Sequence, residues 1–446
     1  MRDISAARRV GRDSLPRPEL VPPVRIVHLG LGAFHRSHQA WYTAHATDAD
    51  CWGIAAYTGR RPDAAEVLSD QGCVYTLVQR GPAEDRFELV GSVVKAVPGD
   101  EVGDFIETVA SAEVAVLTLT ITEAGYRLDA QGALDLDDPE IRSDISKLRR
   151  QVGGCRIASE GAPRTALGRI LLGLNERRLR DRPAIAIVPC DNLPANGSLV
   201  ASALAVFAAQ VSDELASWLP GGVSYVSTSV DRITPRLEPG DRELVAMATG
   251  WSDEAPVIAE PFTDWVLSGD FPSGRPQWES AGARFVDDIT PWETRKLWLL
   301  NGAHSLLAST GRLRGHATVA QAFADAMCRA SVEQLWDEAA RHLPGVETVD
   351  YRRALADRFG NPRIVHRLAQ IADGASTKLR LRVVPVALLE RSAGRPAAGC
   401  ATAIAAWALF DGLDAEAALR DLSPELADDR MFANLVRTTL TTLAAE

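Results

Sequence analysis

Lys296, Asn301 and His304 stand together in the segment Thr294-Arg-Lys-Leu-Trp-Leu-Leu-Asn-Gly-Ala-His-Ser-Leu-Leu. At about 100° per residue on an α-helix the three side chains fall within an arc of roughly 140°, so one helix face can present an amine, a carboxamide and an imidazole to one cleft. An amine can remove or return a proton, and a carboxamide can donate to a developing oxyanion. Spacing alone favours a plainer reading, an amphipathic helix whose polar face happens to hold these types. Against it, Asn301-Gly302 are poor helix formers placed in mid-helix, a cost understood if Asn301 is needed where it is. A further asparagine, Asn192, lies in Pro189-Cys-Asp-Asn-Leu-Pro-Ala-Asn-Gly197, after the apolar run AIAIV at 184–188. It can donate to an oxyanion or close the strand in an Asx turn, and both readings stay open. Glu123, in Thr120-Ile-Thr-Glu-Ala-Gly-Tyr126, offers an acid/base or a gate, or else a solvated loop carboxylate.

A different kind of site is spelled by Gly30-Leu31-Gly32-Ala33-Phe34-His35, after an apolar run at 24–29 and before a helical pattern. Glycine turns there let a backbone approach a pyrophosphate, and helix amides favour its charge. His35 occupies the place of the third glycine, so the fingerprint is incomplete. After the second strand comes Thr58-Gly-Arg60-Arg61-Pro-Asp63, with no acidic residue at the strand end; spacing alone leaves NAD and NADP open. No phosphate-binding G-x-x-x-x-G-K-[ST], H-E-x-x-H or G-x-S-x-G occurs. His35 and His38 resemble a metal pair only loosely, and no metal is expected.

These residues need a scaffold. Apolar runs at 24–29, 52–57, 114–121 and 184–188 read as buried strands, and 37–47 and 165–179 as helices, an alternation that predicts a doubly wound parallel sheet. Residues 253–280, rich in proline and turn formers and holding Trp265 and Trp278, read as irregular connection. Beyond Trp292 the alanine- and leucine-rich stretches 295–309, 318–335 and 397–410 predict a mostly helical C-terminal third. The expected divisions are an arm (1–23), a dinucleotide-binding domain (24–285, core about 24–215) and a helical substrate and catalytic domain (286–446).

The 446 residues are 46% hydrophobic and 24% charged, an ordinary globular balance. A net charge of −11 disfavours nucleic acid and anionic membrane surfaces. Six scattered cysteines without a C-x-x-C pair, and a first 23 residues without an apolar stretch, point to a cytoplasmic protein.

IVHLGLGAFHRSHQAWYT (26–43), TLTITEAGY (118–126), CDNLPANG (190–197), VDRITP (230–235) and KLWLLNGAHSLLA (296–308) occur in that order. Together they resemble the polyol-specific long-chain dehydrogenase/reductase family, which includes mannitol dehydrogenases, arabinitol dehydrogenases and fructuronate reductases. The resemblance implies an α/β fold, an N-terminal Rossmann-like sheet domain plus a mostly α-helical C-terminal domain, and metal-independent hydride transfer between nicotinamide and a secondary alcohol. The family's K-x4-N-x2-H pattern falls on Lys296, Asn301 and His304 and its strand-end asparagine on Asn192. The resemblance makes Lys296 the general base, the two asparagines holders of the reacting oxygen, and His304 the orienter of a substrate hydroxyl. Such a lysine needs a depressed pKa, through burial or nearby positive charge.

It also implies cofactor binding by Gly30, Leu31, Gly32, Ala33, Phe34, Arg60, Thr120 and Glu123. Because NAD-dependent members also carry an arginine at the position of Arg60, the expected cofactor is NAD, with NADP not excluded. Two departures matter: Ala124 replaces the usual lysine of T-E-K-G-Y, and Gln370 stands where mannitol 2-dehydrogenases carry an arginine. Arg367 and Lys378 fall in the stretch that contributes substrate contacts. A sugar acid or phosphate calls for cations, which Arg367, Lys378, Arg380 and Arg382 can supply, although surface charge accounts equally for the last two. The expected activity is NAD-dependent oxidation of a linear polyol or its phosphate to a ketose. Its rivals are a hexuronate reductase making aldonates and, outside enzymes, a catalytically silent NAD(H)-binding sensor. The expected partners are a small polyol or sugar acid, with no nucleic acid and no membrane, and the chain is expected as a monomer or a weak oligomer.

Overall fold

The computed structural model describes residues 7–59, 61–152 and 161–445. The chain forms two compact units, Met1–Arg80 with Asp85–Ile289, and Gly81–Glu84 with Thr290–Glu446. The first is built on six strands, Val24–Leu29 (β1), Gly53–Tyr57 (β2), Val93–Val97 (β3), Val116–Leu119 (β4), Ile185–Pro189 (β5) and Val223–Tyr225 (β6). They lie in the order β3-β2-β1-β4-β5-β6 with every neighbouring pair parallel. Both faces are covered, which is why the strand sequences are almost continuously apolar. Val27, Leu29, Leu117 and Ile187 face one core, while Ile26, Ile54, Val116 and Val188 face the other. In this order the chain reverses its winding between β1 and β4, which opens a crevice at the strands' carboxyl ends.

Several elements depart from expectation. The strand expected over 114–121 is confined to β4, because the chain turns away at Thr120. The helix expected from residue 37 begins at the glycine turn, as Ala33–Ser37 (α1), and breaks at His38 (φ −118°, ψ −89°) before resuming as Gln39–His45. Residues 253–280 are not irregular throughout: Val257–Ala259 pairs with Tyr75–Arg80, and Asp264–Ser268 runs antiparallel to Ser227–Asp231. The prolines flank these short strands rather than interrupt them. Trp265 and Trp278 are fully buried with ring centroids 4.6 Å apart, so aromatic burial organises this segment. The hairpin of Tyr75–Arg80 with Asp85–Val90 was not foreseen either.

The second unit contains helices, with Ala398–Phe410 at its centre, packed against several others. The stretch expected as one helix over 318–335 is broken at Asp325, whose carboxylate accepts from the amides of Met327 and Cys328 and starts a new helix.

Candidate active site

The crevice at the switch point is a cleft of about 680 Å3, lined by Leu29, Gly30 and Leu31 after β1 and by Thr120, Ile121 and Thr122 after β4. Gly30 has φ +115°, and a Cβ there would lie 2.3 Å from the Thr120 carbonyl oxygen, so only glycine fits. Gly32 differs. Its backbone is extended (φ −147°) and a Cβ would meet nothing closer than 3.6 Å, so the fold itself does not require glycine there. A missing side chain that the fold does not need suits the close approach of a ligand's phosphates.

His35 packs inward and stacks on His28 of β1, ring centroids 3.4 Å apart and 10° from parallel. His28 bonds Thr118 Oγ1 (2.8 Å) through Nδ1 and Thr120 Oγ1 (3.0 Å) through Nε2, while the Thr120 hydroxyl donates to the Gly30 carbonyl (2.8 Å). With the Thr120 hydroxyl donating to Gly30, Nε2 is the nitrogen that donates to Thr120, and in the neutral ring that burial favours Nδ1 accepts from Thr118. Burial pushes the His28 pKa down to about 3 and holds that of His35 well below its ordinary value. The third position of the fingerprint thus holds a ring that fills the strand–helix interface. His38, its notional metal-binding companion, contacts Gln39 and the Asp264 carbonyl instead.

Of the expected cofactor residues, Gly30, Leu31 and Thr120 line the cleft; Gly32, Ala33, Phe34 and Glu123 adjoin it in the chain without lining it, and Arg60 lies outside the described residues. Sequence reasoning missed Arg127, Arg164 and Arg169, which the fold brings to the same cleft from distant loops and the start of the helix Ala166–Leu179. Arg127 is held by Asp138 (3.1 Å) and Glu140. A glycine turn before a helix start, beside Arg127, Arg164 and Arg169 at a doubly wound sheet's switch point, fits a dinucleotide.

After β5 the Asx turn left open by the sequence is made, but by the neighbour. Asp191 Oδ1 accepts from the Leu193 amide (2.9 Å) and from Asn196 Nδ2 (3.3 Å), and its other oxygen accepts from the buried Tyr126 hydroxyl. Asn196 also ties to Thr228 through its Oδ1 (2.8 Å). These bonds fix the loop and leave Asn192 exposed at the strand's carboxyl end.

In the helical unit the regular winding is interrupted where chemistry was expected. Thr290–Arg295 (α2) runs into a π-helical turn, Lys296–Asn301, and continues as Gly302–Leu313 (α3). The Gly302 amide reaches back five residues to the Leu297 carbonyl. In an α-helix residues five apart point about 140° away from one another, whereas i→i+5 bonding makes five residues roughly one turn. The wide turn therefore stacks Asn301 one turn along from Lys296, a closer alignment than the arc expected from α-helical spacing. Two side chains serve its loosened carbonyls: Trp336 Nε1 donates to Leu299 O (2.8 Å), and Arg382 Nη1 donates to Asn301 O (3.3 Å) and to Ser305 Oγ (3.0 Å).

His304 is buried, its ring 4.9 Å from Phe359 and 4.8 Å edge-on to His366, and its Nε2 has no hydrogen-bond partner among the described residues. Burial first, then the charges around it, including Arg358 and Arg382, hold its pKa well below the ordinary value, so it is neutral. Lys378 Nζ donates to Ile371 O (2.8 Å), and burial and Arg382 lower its pKa. Arg367 is exposed. Arg380 is engaged elsewhere, with Asp421 (2.5 Å). Among the described residues, no three His, Cys, Asp or Glu side chains gather as a metal-ligating group.

Strand order, glycine turn and switch-point cleft define the first unit as a dinucleotide-binding domain of the oxidoreductase type. Residues 24–280 match the mannitol dehydrogenase Rossmann domain and residues 288–437 the mannitol dehydrogenase C-terminal domain. The chain belongs to the mannitol dehydrogenase family of oxidoreductases. It is 35% identical over 419 residues to the D-mannonate oxidoreductase of Escherichia coli (91% of this chain, 84% of the relative). To the mannitol 2-dehydrogenase of Cereibacter sphaeroides it is 32% identical over 413 residues (90% and 83%). Its structure resembles the Pseudomonas fluorescens mannitol 2-dehydrogenase in ternary complex with NAD and D-mannitol, with TM-score 0.75, 29% identity and coverage of 99% and 93%.

Proposed function

We propose that the protein interconverts a secondary alcohol and a ketone on an open-chain polyol or sugar acid, using NAD held in the switch-point cleft and no metal. Bound NAD supplies the hydride acceptor for oxidation and, reduced, the donor for the reverse reaction. Gly30, Leu31 and Thr120 hold the dinucleotide; Gly32, Ala33 and Phe34 complete its turn, and Arg60 and Glu123 also contact the cofactor. Lys296 removes the hydroxyl proton during oxidation and returns it to the ketone oxygen in reduction. Asn301 and Asn192 donate amide hydrogens to that oxygen as negative charge develops. Neutral His304 orients a substrate hydroxyl, and Arg367 and Lys378 contact the chain further along.

One observation carries this reading. Lys296 and Asn301 stand at the two ends of one π-helical turn, a placement that would let a proton acceptor and an oxyanion donor serve the same oxygen. Members named for mannitol and for mannonate among the relatives support the substrate class, and the solved relative bound to NAD supports the cofactor. Five described cysteines are free, and no helix among the described residues is long and apolar enough to cross a membrane, which supports a place in the cytoplasm. The test is NADH appearance with D-mannitol, D-arabinitol, mannitol 1-phosphate and D-mannonate. At least one must be turned over, faster with NAD than with NADP; no turnover of any of them would end the proposal.

A further inference from the structure

A carboxylate partner is a common arrangement for arginines of the helical unit, although Arg329 bonds the Phe323 carbonyl and Arg312 lies over Phe410 instead. Arg341 pairs with Glu390 (2.6 Å), Arg391 with Asp429 (2.7 Å), Arg352 with Asp337 (2.7 Å) and Arg314 with Asp325 (2.8 Å). On the helix Ala375–Arg382 (α4), Arg380 has such a partner in Asp421 (2.5 Å). Its neighbours on the other face do not. Lys378 and Arg382 are both half-buried, and neither forms an ion pair with any described residue. Their bonds run to neutral oxygens: Lys378 to Ile371 O, and Arg382 to Asn301 O and Ser305 Oγ.

That arrangement costs stability twice. Like charges four residues apart on one helix repel, and a cation partly withdrawn from water without a counter-charge loses solvation. Asp373 lies close enough for its charge to act on Lys378, yet it makes no ion pair with it. The geometry nonetheless brings Arg382 to the wide turn, since α4 packs against it and against α3 and Arg382 touches Asn301 and Ser305, with Lys378 one turn earlier on α4. Both of these Arg382 bonds use Nη1. The edge formed by Nε and Nη2, the fork that matches a carboxylate's two oxygens, has no protein acceptor among the described residues.

We propose that Lys378 and Arg382 form a subsite for the carboxylate of an open-chain sugar acid, with Arg382 the residue that makes the enzyme prefer the acid to the neutral polyol. This rests on the hydride-transfer reading and narrows its substrate. A bound carboxylate neutralises the pair, bridging the Nε/Nη2 edge of Arg382 and the ammonium of Lys378. It anchors one end of the substrate a fixed distance from Asn301. Gln370, which precedes α4 in the chain, is uncharged and supplies no competing charge.

Initial rates with D-mannonate, D-mannitol and mannitol 1-phosphate, at saturating NAD, test it. Wild type should show kcat/KM for mannonate at least roughly a hundredfold above mannitol. Arg382→Met should cost mannonate roughly ten- to a hundredfold, mainly in KM, and collapse the mannonate-to-mannitol ratio; Arg382→Lys should restore part of it. A merely structural role for Arg382, through its bond to Asn301, would lower both substrates alike and leave the ratio unchanged, which would overturn the proposal. So would a wild-type preference for mannitol or for mannitol 1-phosphate. If nothing is turned over, the hydride-transfer reading fails separately, and calorimetry judges the subsite alone. Mannonate binding to the NADH-loaded protein, lost in Arg382→Met and absent with mannitol, sustains it; equal binding or none refutes it.

Discussion

Each unit buries a pair of facing imidazoles, and the two pairs are built for different ends. His28 and His35 lie nearly parallel in the sheet unit, and His28 has threonine partners for both nitrogens. His304 and His366 meet edge-on in the helical unit, with His304 Nε2 unpartnered among the described residues and the charge of Arg382 acting on the ring. Both pairs are neutral because burial disfavours the charged form. A depressed histidine pKa therefore does not by itself mark a catalytic group, and neither does an unpartnered ring nitrogen, since both nitrogens of His35 also lack partners among the described residues. What separates the pairs is the charge of Arg358 and Arg382 acting on His304, against threonine hydroxyls at His28. In the sheet unit the working surface is backbone, kept bare by glycine. In the helical unit it is side chains held in readiness.

That contrast can be broken by substitution. The largest effect is expected from Lys296→Ala, which should lower kcat by roughly a thousandfold or more at unchanged Tm and unchanged NADH affinity. Comparable loss of NADH binding would mean the helical unit is not confined to the substrate's chemistry. Asn301→Ala should cost roughly a hundred- to a thousandfold in kcat, as removal of an oxyanion donor does. A rate within tenfold of wild type would remove that role. The glycines divide the labour on the other side. Gly30→Ala must strain a backbone at φ +115° against Thr120, and should lose about 1–3 kcal/mol of stability, measured by denaturant unfolding. Gly32→Ala should keep its Tm and instead weaken NAD binding by roughly tenfold in a fluorescence titration.

The smallest effect is a pH dependence. Unfolded His28 takes a proton near pH 6.5, folded His28 only near 3, so between these values the unfolded chain binds more protons. The stability conferred by neutral His28 is complete above about pH 6.5 and declines as pH falls towards 3. The loss amounts to about 2 kcal/mol by pH 5. His28→Gln should be less stable at pH 7 but lose less between pH 7 and 5; equal losses in both proteins would show that His28 is not the group responsible.

Much of the sheet unit was readable because glycine, β-branched runs and helix starts leave local signatures: β1 was placed to the residue, and the turn after it was recognised without its third glycine. Elements whose identity depends on distant partners were not. Tyr75–Arg80 and Asp85–Val90 carry polar residues along both faces and become strands by pairing with each other and with Val257–Ala259. Arg127, Arg164 and Arg169 reach the cleft by tertiary folding alone. In the helical unit Lys296, Asn301 and His304 were singled out together, yet on the wrong winding. A 3.6-residue period cannot register a five-residue turn, and the awkward Asn301-Gly302 pair was the one local sign of it. Arg380 and Arg382 looked alike as sequence, and only Asp421 distinguishes them.

The wide turn also sets a rule for change by insertion and deletion. It accommodates about one more residue than a regular coil between two helices that are otherwise ordinary, so removing one of the four residues at 297–300 would let the helix rewind normally. Lys296 and Asn301 would then stand four residues apart in a regular helix, about 40° round from one another, so the amine would keep its alignment with the carboxamide. Loss of one of those four apolar residues is therefore tolerable, whereas adding one to a turn already widened would swing the amine away from the carboxamide.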